Sequence, residues 1–348
     1  MDIGALITAG VTTLLVSRAV ISEQKRLKLT DDPKKRVSPK NTHEYPVPRG
    51  GGLAIGIGVI LALFVFGYSL VPTKFLIICI GLIMAVGYLD DRFQDKVSPY
   101  VRLLTNILIA IITWYGGIGI RYVTGLSGEV LFLEQGIGIA ATVLWLTWMQ
   151  NIVGWSSGVD GQLPGFVVIA ALMVGVWGGF RSGFMAPAIL PILALITTGA
   201  YLGFLGWNWY PQKIMPGYGG KSLAGYLLGV IAILADVKLG TMAMVLAVPF
   251  TDAVFAISKR LAEGRSPFWG GRDHLHYFLL DLGWSKKQVA IFYWLMSLAG
   301  GLLALRLKGN LGYFTMTTVI LIFAGIVLWL RNWPTFLKPP DRDSGLKI

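Results

Sequence analysis

Eleven stretches of mostly apolar residues, each near the length of a bilayer-spanning helix, follow one another along this chain of 348 residues. A helix needs about 20 such residues to cross the hydrocarbon layer, and several of these runs are shorter or interrupted by glycine. We therefore predict an all-α polytopic membrane protein with about 10 to 11 transmembrane helices. The predicted spans are 3–20, 52–71, 74–89, 103–118, 137–153, 165–179, 187–206, 222–235, 239–257, 288–306 and 313–331.

The composition supports a protein that is solvated by lipid. Apolar residues make up 55% of the chain and charged residues only 14%, against about 25% in a typical soluble domain. A soluble fold of this length has too little interior to bury so much apolar surface. The single cysteine, Cys79, excludes an intrachain disulfide and a cysteine metal cluster.

The net charge of +12 is distributed in a way that indicates topology. Most of the 30 lysines and arginines fall in one alternating set of loops, and the longest polar stretches lie at about 21–50 and 258–287. Because cytoplasmic loops carry the excess of basic residues, we predict a multi-pass protein of the cytoplasmic (inner) membrane with these loops inside. No soluble basic module with interleaved aromatic residues is present, so we predict bilayer contact and no nucleic-acid partner.

No soluble domain interrupts the spans, so residues 1–331 are predicted to form one transmembrane domain, followed by a cytoplasmic tail at 332–348. Residues 121–134 carry β-favouring runs around Gly125 and Ser127-Gly128, which predicts a small β-hairpin on the extracytoplasmic side. Ser285 and Gln288 have the spacing of a capping box at the start of a helix.

An adjacent pair of carboxylates, Asp90 and Asp91, ends the third apolar run. Each carboxylate disfavours ionisation of the other unless a cation shares the site, and Mg²⁺ held by carboxylates and substrate phosphates meets that need. The alternative is a solvated helix end that pairs with Arg92.

Two further inner loops are rich in glycine. The segment NIVGWSSGVDGQLPG (151–165) has exposed backbone N–H groups that can cradle an anion, and Asp160 is its only acid. The segment KIMPGYGGKSLAG (213–225) places Lys221 near a helix start, which favours phosphate, although the spacing is not that of a P-loop. An ordinary connecting loop is the alternative in both cases.

Two more inner loops carry the basic and histidine residues. In RSPFWGGRDHLHYF (265–278), His274 and His276 lie beside Arg272, a composition suited to phosphate binding or proton handling, or simply to a surface histidine pair. In KNTHEYPVPRGGG (40–52), Lys40, His43 and Arg49 precede the second span, and the two basic residues are candidates to grip phosphate. We therefore predict one site on the cytoplasmic face that binds phosphate-bearing substrates.

Four stretches resemble the polyprenyl-phosphate N-acetylhexosamine-1-phosphate transferases, and the resemblance covers roughly residues 35–285. They are KNTHEYPVPRGGG (40–52), GYLDDRFQDKVSPYVRLL (87–104), NIVGWSSGVDG (151–161) and PFTDAVFAISKRLAEGRSPFWGGRDHLHYFLLDLGW (249–284). The histidine loop and the following Gly283-Trp284 resemble the GlcNAc-1-phosphate branch, which uses undecaprenyl phosphate, more than the phospho-N-acetylmuramoyl-pentapeptide transferases. The resemblance implies a Mg²⁺-dependent enzyme, with Mn²⁺ as a substitute. It would transfer sugar-1-phosphate from a UDP-N-acetylhexosamine to polyprenyl phosphate, for cell-envelope polysaccharide or peptidoglycan precursors. A homodimer is left open.

The resemblance also implies roles for residues. The implied catalytic residues are Asp90, Asp91, Asp160, His274 and His276, and the three aspartates are the implied metal ligands. The implied substrate-binding residues are Lys40, His43, Arg49, Asn151, Ser157, Lys221 and Arg272.

The chain departs from the family motifs at several positions. Gly154 and Ser157 stand where an Asn and an Asp are usual, and Tyr277 replaces a third histidine. In the aligned Gly-Asp-x-Gly-Ser loop, Tyr218 replaces a metal-binding Asp and Lys221 a Ser. An alternative function is therefore a weak relative that binds polyprenyl phosphate or a nucleotide sugar without turnover. A transporter is disfavoured, because we find no internal repeat and the polar motifs lie at one face.

Overall fold

The structure is a computed structural model that describes residues 3–35, 42–67, 70–93, 97–124, 129–177, 187–235, 239–266 and 271–306, with single positions beyond. It is mostly helical, as predicted. The helices are α1 (Ile3–Ser22), α2 (Gln24–Leu27), α3 (Gly51–Gly67), α4 (Val71–Phe93), α5 (Pro99–Tyr115), α6 (Gln135–Trp155), α7 (Gln162–Ala170, continued by a π-helical segment Ala171–Trp177), α8 (Ile189–Asn208), α9 (Gly217–Leu234), α10 (Leu239–Val245), α11 (Ala247–Ala262), α12 (Leu275–Asp281) and α13 (Lys286–Arg306).

Six of these helices have the length and composition of membrane spans: α1, α4, α6, α8, α9 and α13. Three shorter apolar helices, α3, α5 and α7 with its continuation, accompany them. The polytopic all-α class is thus confirmed. The span predicted at 313–331 lies almost entirely outside the described residues.

The span predicted at 239–257 is broken at Leu246, between α10 and α11. Pro249 has no N–H to donate to Val245 one turn earlier, so a continuous helix would leave that carbonyl without its partner. Pro249 instead lies in the first turn of α11, where a missing N–H is tolerated. Helix α11 is therefore shorter than the span we predicted.

Two small antiparallel sheets occur in the described residues. The predicted hairpin is present, with β3 (Tyr122–Thr124) paired to β4 (Val130–Phe132). A second pair was not predicted: β1 (Thr30–Asp31) pairs with β2 (Val47–Pro48), and Asp31 lies opposite Val47. This pairing folds the first basic loop back against the start of α3. The predicted capping box is also present, since the Gln288 N–H donates to Ser285 Oγ over 3.3 Å.

Helix α9 is the most enclosed of the six long helices, because 78% of the residues in its apolar segment are buried. Glycines let two neighbours approach its backbone directly: a Cβ on Gly52 of α3 or on Gly87 of α4 would overlap the backbone at Gly219. Such contacts between small residues are a common way to bring membrane helices together. This glycine junction (Gly52, Gly87 and Gly219) holds the carboxyl end of α4, with its acidic pair, against the start of α9.

Candidate functional site

A cavity of about 740 Å³ opens at the end of the helix bundle where the five predicted loops meet. It receives residues from the segment before α3, the α4–α5 region, the α6–α7 loop, the start of α9 and the α11–α12 loop. The predicted site residues that line it are His43, Arg49, Asp90, Asn151, Ser157, Lys221, His274 and His276. Asp91, Asp160 and Arg272 are not among the lining residues, and Lys40 lies outside the described residues.

One side of the cavity, which we call the acidic wall, is formed by Asp31, Arg49, Asp90 and Arg102. Asp90 Oδ1 lies 3.5 Å from the Arg102 guanidinium, and both Asp31 and Asp91 lie within 4 Å of Arg49, at 3.8 and 3.6 Å. These carboxylates are almost fully buried, and a buried charge is tolerated only when it is paired. The wall therefore alternates carboxylates and guanidinium groups.

Asp91 lies behind this wall. Its Oδ1 accepts the backbone N–H of Tyr218 over 2.9 Å and so caps the start of α9. Gly217 adopts φ +64°, and a Cβ there would overlap the Asp91 carboxylate, so only glycine fits. Adjacent residues on a helix point in different directions, which explains why Asp90 faces the cavity while Asp91 faces α9.

Tyr218 contributes an aromatic surface where the family usually has an acid. Its hydroxyl donates to Asn106 Oδ1 over 3.2 Å, and the Arg102 guanidinium lies 5.4 Å from its ring centroid. Cation–π contact of this kind helps to keep the arginine in place. Tyr218 and Lys221 both line the cavity, so this end of α9 presents a ring and a cation.

The α6–α7 loop forms the floor. Ser157 Oγ donates to the Gly154 carbonyl over 2.6 Å, and Gln162 Oε1 accepts the N–H groups of Gly158 and Val159. The His276 ring occupies the space that a side chain on Gly158 would need. The loop is thus held by its own hydrogen bonds and depends on glycine at 158.

Asp160 lies beneath this floor. Its Oδ2 accepts the backbone N–H of Gln212 over 3.0 Å, and burial is the main cause that raises the pKa of its carboxyl group. Burial likewise lowers the pKa of His43, which lines the cavity nearby. Both shifts favour the neutral forms of these side chains.

Another part of the lining, which we call the histidine wall, is formed by Arg260, His274 and His276. The two imidazoles stack with their ring centroids 5.8 Å apart and their planes 7° apart. Arg260 donates from Nε to Asp273 Oδ2 over 3.1 Å. Burial alone would raise the pKa of Asp273, but hydrogen bonds from Arg260 and Lys259 outweigh it and lower the pKa to about 2.

At the outer edge, Arg272 pairs with Asp281 over 2.5 Å and lies 5.0 Å from the ring centroid of Tyr277. Tyr277, in place of the usual histidine, lines the cavity, and burial raises the pKa of its phenol to about 12. This phenol therefore stays protonated at neutral pH and can donate a hydrogen bond.

Sequence reasoning missed three charged residues that line the cavity: Asp31, Arg102 and Arg260. The two arginines were counted only as topology signals. A Lys259-Arg260 pair on the inner turn of α11 and an arginine in the first turn of α5 are weak signals, because basic residues at inner helix ends are common.

The residues fit a magnesium ion that takes part of its ligands from substrate. In the described segments, no group of three or more His, Cys, Asp or Glu side chains is close enough to hold a metal ion alone. Mg²⁺ is commonly bound through one or two carboxylates together with phosphates and water. Asp90 offers such a carboxylate to the cavity, with Asp91 next to it in the chain.

The fold and the cavity define a class: a multi-pass membrane protein with a cavity lined by three arginines at one end of its helices. Comparison with known proteins narrows this class, because residues 73–236 match the model of glycosyl transferase family 4. Over this region the chain is similar to that family. The matched region runs from α4 into α9 and includes Asp90, Asp91 and Asp160.

Curated relatives are similar over nearly the full chain. One is the probable undecaprenyl-phosphate N-acetylglucosaminyl 1-phosphate transferase of Bacillus subtilis (strain 168), 27% identical over 93% of this chain and 89% of the relative. Another is the decaprenyl-phosphate N-acetylglucosaminephosphotransferase of Mycolicibacterium smegmatis, 28% identical over 87% and 82%. The undecaprenyl-phosphate alpha-N-acetylglucosaminyl 1-phosphate transferase of Escherichia coli K12 is 25% identical over 89% and 84%.

Proposed function

We propose that this protein is a glycosyl-1-phosphate transferase. It transfers the sugar-1-phosphate of a UDP-N-acetylhexosamine to polyprenyl phosphate, such as undecaprenyl phosphate, and yields polyprenyl-diphospho-sugar and UMP. The observation that carries the proposal is the single cavity lined by Asp90, three arginines and Lys221, which come from loops far apart in the chain. The names of the relatives supply the lipid acceptor and the N-acetylglucosamine-1-phosphate group.

The reaction balances as a phosphoryl transfer. An oxygen of polyprenyl phosphate forms a bond to the β-phosphorus of the nucleotide sugar. The bond between that phosphorus and the oxygen bridging to the α-phosphate breaks, and the bridging oxygen leaves with UMP. Such transfers depend mainly on positioning and on stabilising negative charge, which the arginines and Lys221 are placed to do.

The site residues keep separate proposed roles. Arg49, Lys221 and the predicted Lys40 bind phosphate groups, and Asn151 and Ser157 contact the nucleotide sugar. Asp160 supports the α6–α7 loop by accepting the backbone N–H of Gln212. His43, which lines the cavity nearby, contacts the substrate. Arg272 guides the donor at the rim.

Mg²⁺ is the proposed cofactor, and Mn²⁺ a substitute. When bound, it would neutralise part of the diphosphate charge. Asp90 is the ligand best placed to hold it, with Asp91 as a second carboxylate. Asp160 accepts a backbone N–H instead, which makes it the weakest of the three proposed metal ligands.

We assign the cavity to the cytoplasmic face of the cell's inner membrane, because the basic loops surround it and UDP-sugars are cytoplasmic metabolites. The product would serve cell-envelope polysaccharide or peptidoglycan synthesis. A homodimer stays a prediction.

The test is turnover by the purified protein in lipid nanodiscs. UDP-GlcNAc and undecaprenyl phosphate are supplied with Mg²⁺ or with EDTA, and UMP and the lipid product are measured together. We expect equal amounts of both products, and more of each with Mg²⁺. Absence of UMP under every condition and with every UDP-N-acetylhexosamine would reject the transferase.

One observation favours the second candidate, a relative that binds without turnover. Tyr218 fills the position of a usual metal ligand and is bonded to Asn106 rather than open to an ion. For this candidate, UDP-GlcNAc or undecaprenyl phosphate binds in calorimetry while UMP release stays at background. The same nanodisc sample therefore separates the two functions.

A further inference from the structure

A buried carboxylate outside the predicted site contacts the histidine wall from behind. Asp252 lies in α11, is fully buried, and does not line the cavity. Its Oδ2 lies 2.9 Å from Nδ1 of His274, and its Oδ1 accepts the backbone N–H of Leu275 over 2.7 Å. Both oxygens are therefore engaged with the first residues of the α12 segment.

The neighbours of His274 select one tautomer of its ring. An ionised carboxylate only accepts hydrogen bonds, so Nδ1 must carry the proton toward Asp252. On the other side, Nε2 lies 3.4 Å from Nη2 of Arg260, and a guanidinium only donates. A lone pair on Nε2 satisfies this contact, whereas a proton there would face another donor.

Through His274, the contact of Asp252 extends to Arg260, a residue that lines the cavity. Arg260 lines the cavity, and it is held between Asp273 on its Nε and His274 on its Nη2. The ring of Trp155, at the end of α6, lies beside that of His274, with the two centroids 6.1 Å apart. A change of tautomer in His274 would thus alter the orientation of Arg260 without any change of residue at the cavity surface.

We propose that Asp252 is a positioning residue that acts through His274. Its carboxylate keeps the imidazole protonated on Nδ1, so that Nε2 accepts from Arg260 and fixes that guanidinium against the cavity. The effect on rate rests on the proposed function, whereas the tautomer does not.

The substitution Asp252→Asn tests this with little change in shape. The Leu275 N–H needs an acceptor, so the amide oxygen takes the place of Oδ1 and the amide NH₂ faces His274. That NH₂ donates to Nδ1 and forces the proton to Nε2, toward Arg260. A tautomer reversed by such a substitution is known to reduce rates strongly in other enzymes.

Two readouts are measured on the full-length protein in nanodiscs. The first is the ¹⁵N spectrum of histidine-labelled protein, with His274→Gln to assign the signal among the three histidines. We expect Nδ1–H in the wild type and Nε2–H in Asp252→Asn. The second is UMP release, for which we expect kcat to fall about 100-fold in Asp252→Asn.

A double-mutant comparison separates positioning from a structural role. If Asp252 acts through His274, Asp252→Asn should lower kcat no more than about twofold further in a His274→Gln background. Glu263→Gln, which removes an exposed carboxylate just after α11, is the matched control and should leave kcat unchanged.

Each outcome decides the proposal. An unchanged Nδ1–H signal in Asp252→Asn overturns it. The proposal also fails if the reductions in kcat caused by the two single substitutions multiply in the double variant. If the wild type releases no UMP, the transferase proposal fails, and the ¹⁵N spectra alone still decide the role of Asp252. If Asp252→Asn does not fold, the wild-type spectrum decides, because Nε2–H there contradicts the proposed tautomer.

Discussion

The acidic wall and the histidine wall line the same cavity, but carboxylates reach the cavity only in the acidic wall. In the acidic wall, Asp90 reaches the cavity itself, with Arg102 beside it. In the histidine wall, Asp252 and Asp273 lie behind, and the basic groups of His274 and Arg260 reach the cavity. Both walls therefore offer donors to a diphosphate, but only the acidic wall also offers a carboxylate oxygen to a cation.

The largest effect should follow removal of the Asp90 carboxylate from the acidic wall. Asp90→Asn leaves Arg102 without its partner charge and removes an oxygen ligand for a cation, so UMP release should fall about 100- to 1,000-fold. Asp32→Asn, in the first inner loop and away from the cavity lining, is the control and should stay within about twofold. Near-normal turnover by Asp90→Asn would remove the distinction between the walls.

The histidine wall should be sensitive to the floor beneath it. A methyl group on Gly158 would overlap the His276 ring, so Gly158→Ala should displace that ring and lower kcat by about 10- to 100-fold. Gly136→Ala in α6 is the matched control, because its added Cβ meets no atom within 4 Å. Equal activity of the two variants would mean that the stacked histidines do not contribute to turnover.

A carboxylate returned to the acidic wall should strengthen metal binding. Tyr218→Asp places an acid near Asp90 and Asp91, and we expect Mn²⁺ to bind about tenfold more tightly, as measured by electron paramagnetic resonance. Tyr218→Phe, which loses only the hydroxyl bonded to Asn106, should leave Mn²⁺ affinity unchanged. If Tyr218→Asp binds no more tightly, the proposed ion site does not adjoin the start of α9.

The smallest effect concerns stability in acid. The pKa of Asp273 is lowered from 3.8 to about 2, so its ionised form stabilises the folded state above pH 4 and this contribution is lost as the pH falls from about 4 to 2. Over that window the melting temperature of the wild type should fall a few degrees further than that of Asp273→Asn. Parallel melting curves would show that Asp273 does not stabilise the histidine wall.

The helical class and most spans could be predicted, because the 20-residue requirement of the bilayer acts on local sequence alone. The break at Leu246 could have been predicted from Pro249, which cannot continue a hydrogen-bonded helix. The β1–β2 pairing could not be predicted, because each strand has only two residues and is too short to show an alternating pattern. The resemblance to the family followed from motifs and agrees with the match over residues 73–236.

The loops of the site could be chosen from charge and glycine content, but not the individual contacts. Arg102 was treated as a topology signal, although in the structure it pairs with Asp90 and faces Tyr218. Asp252 lies 22 residues before His274, and no local pattern links the two. Contacts of this kind arise only when separate helices pack, so sequence periodicity does not encode them.

The glycine junction between α3, α4 and α9 has a consequence for how such proteins diversify. Where backbones touch directly, the position of the acidic pair at the end of α4 relative to the start of α9 is set by helix register rather than by loop sequence. The loops at the rim can then vary in sequence and so select a different sugar. A protein of this fold can thus acquire a new substrate through changes in the rim loops, while the residues at the helix ends keep their positions.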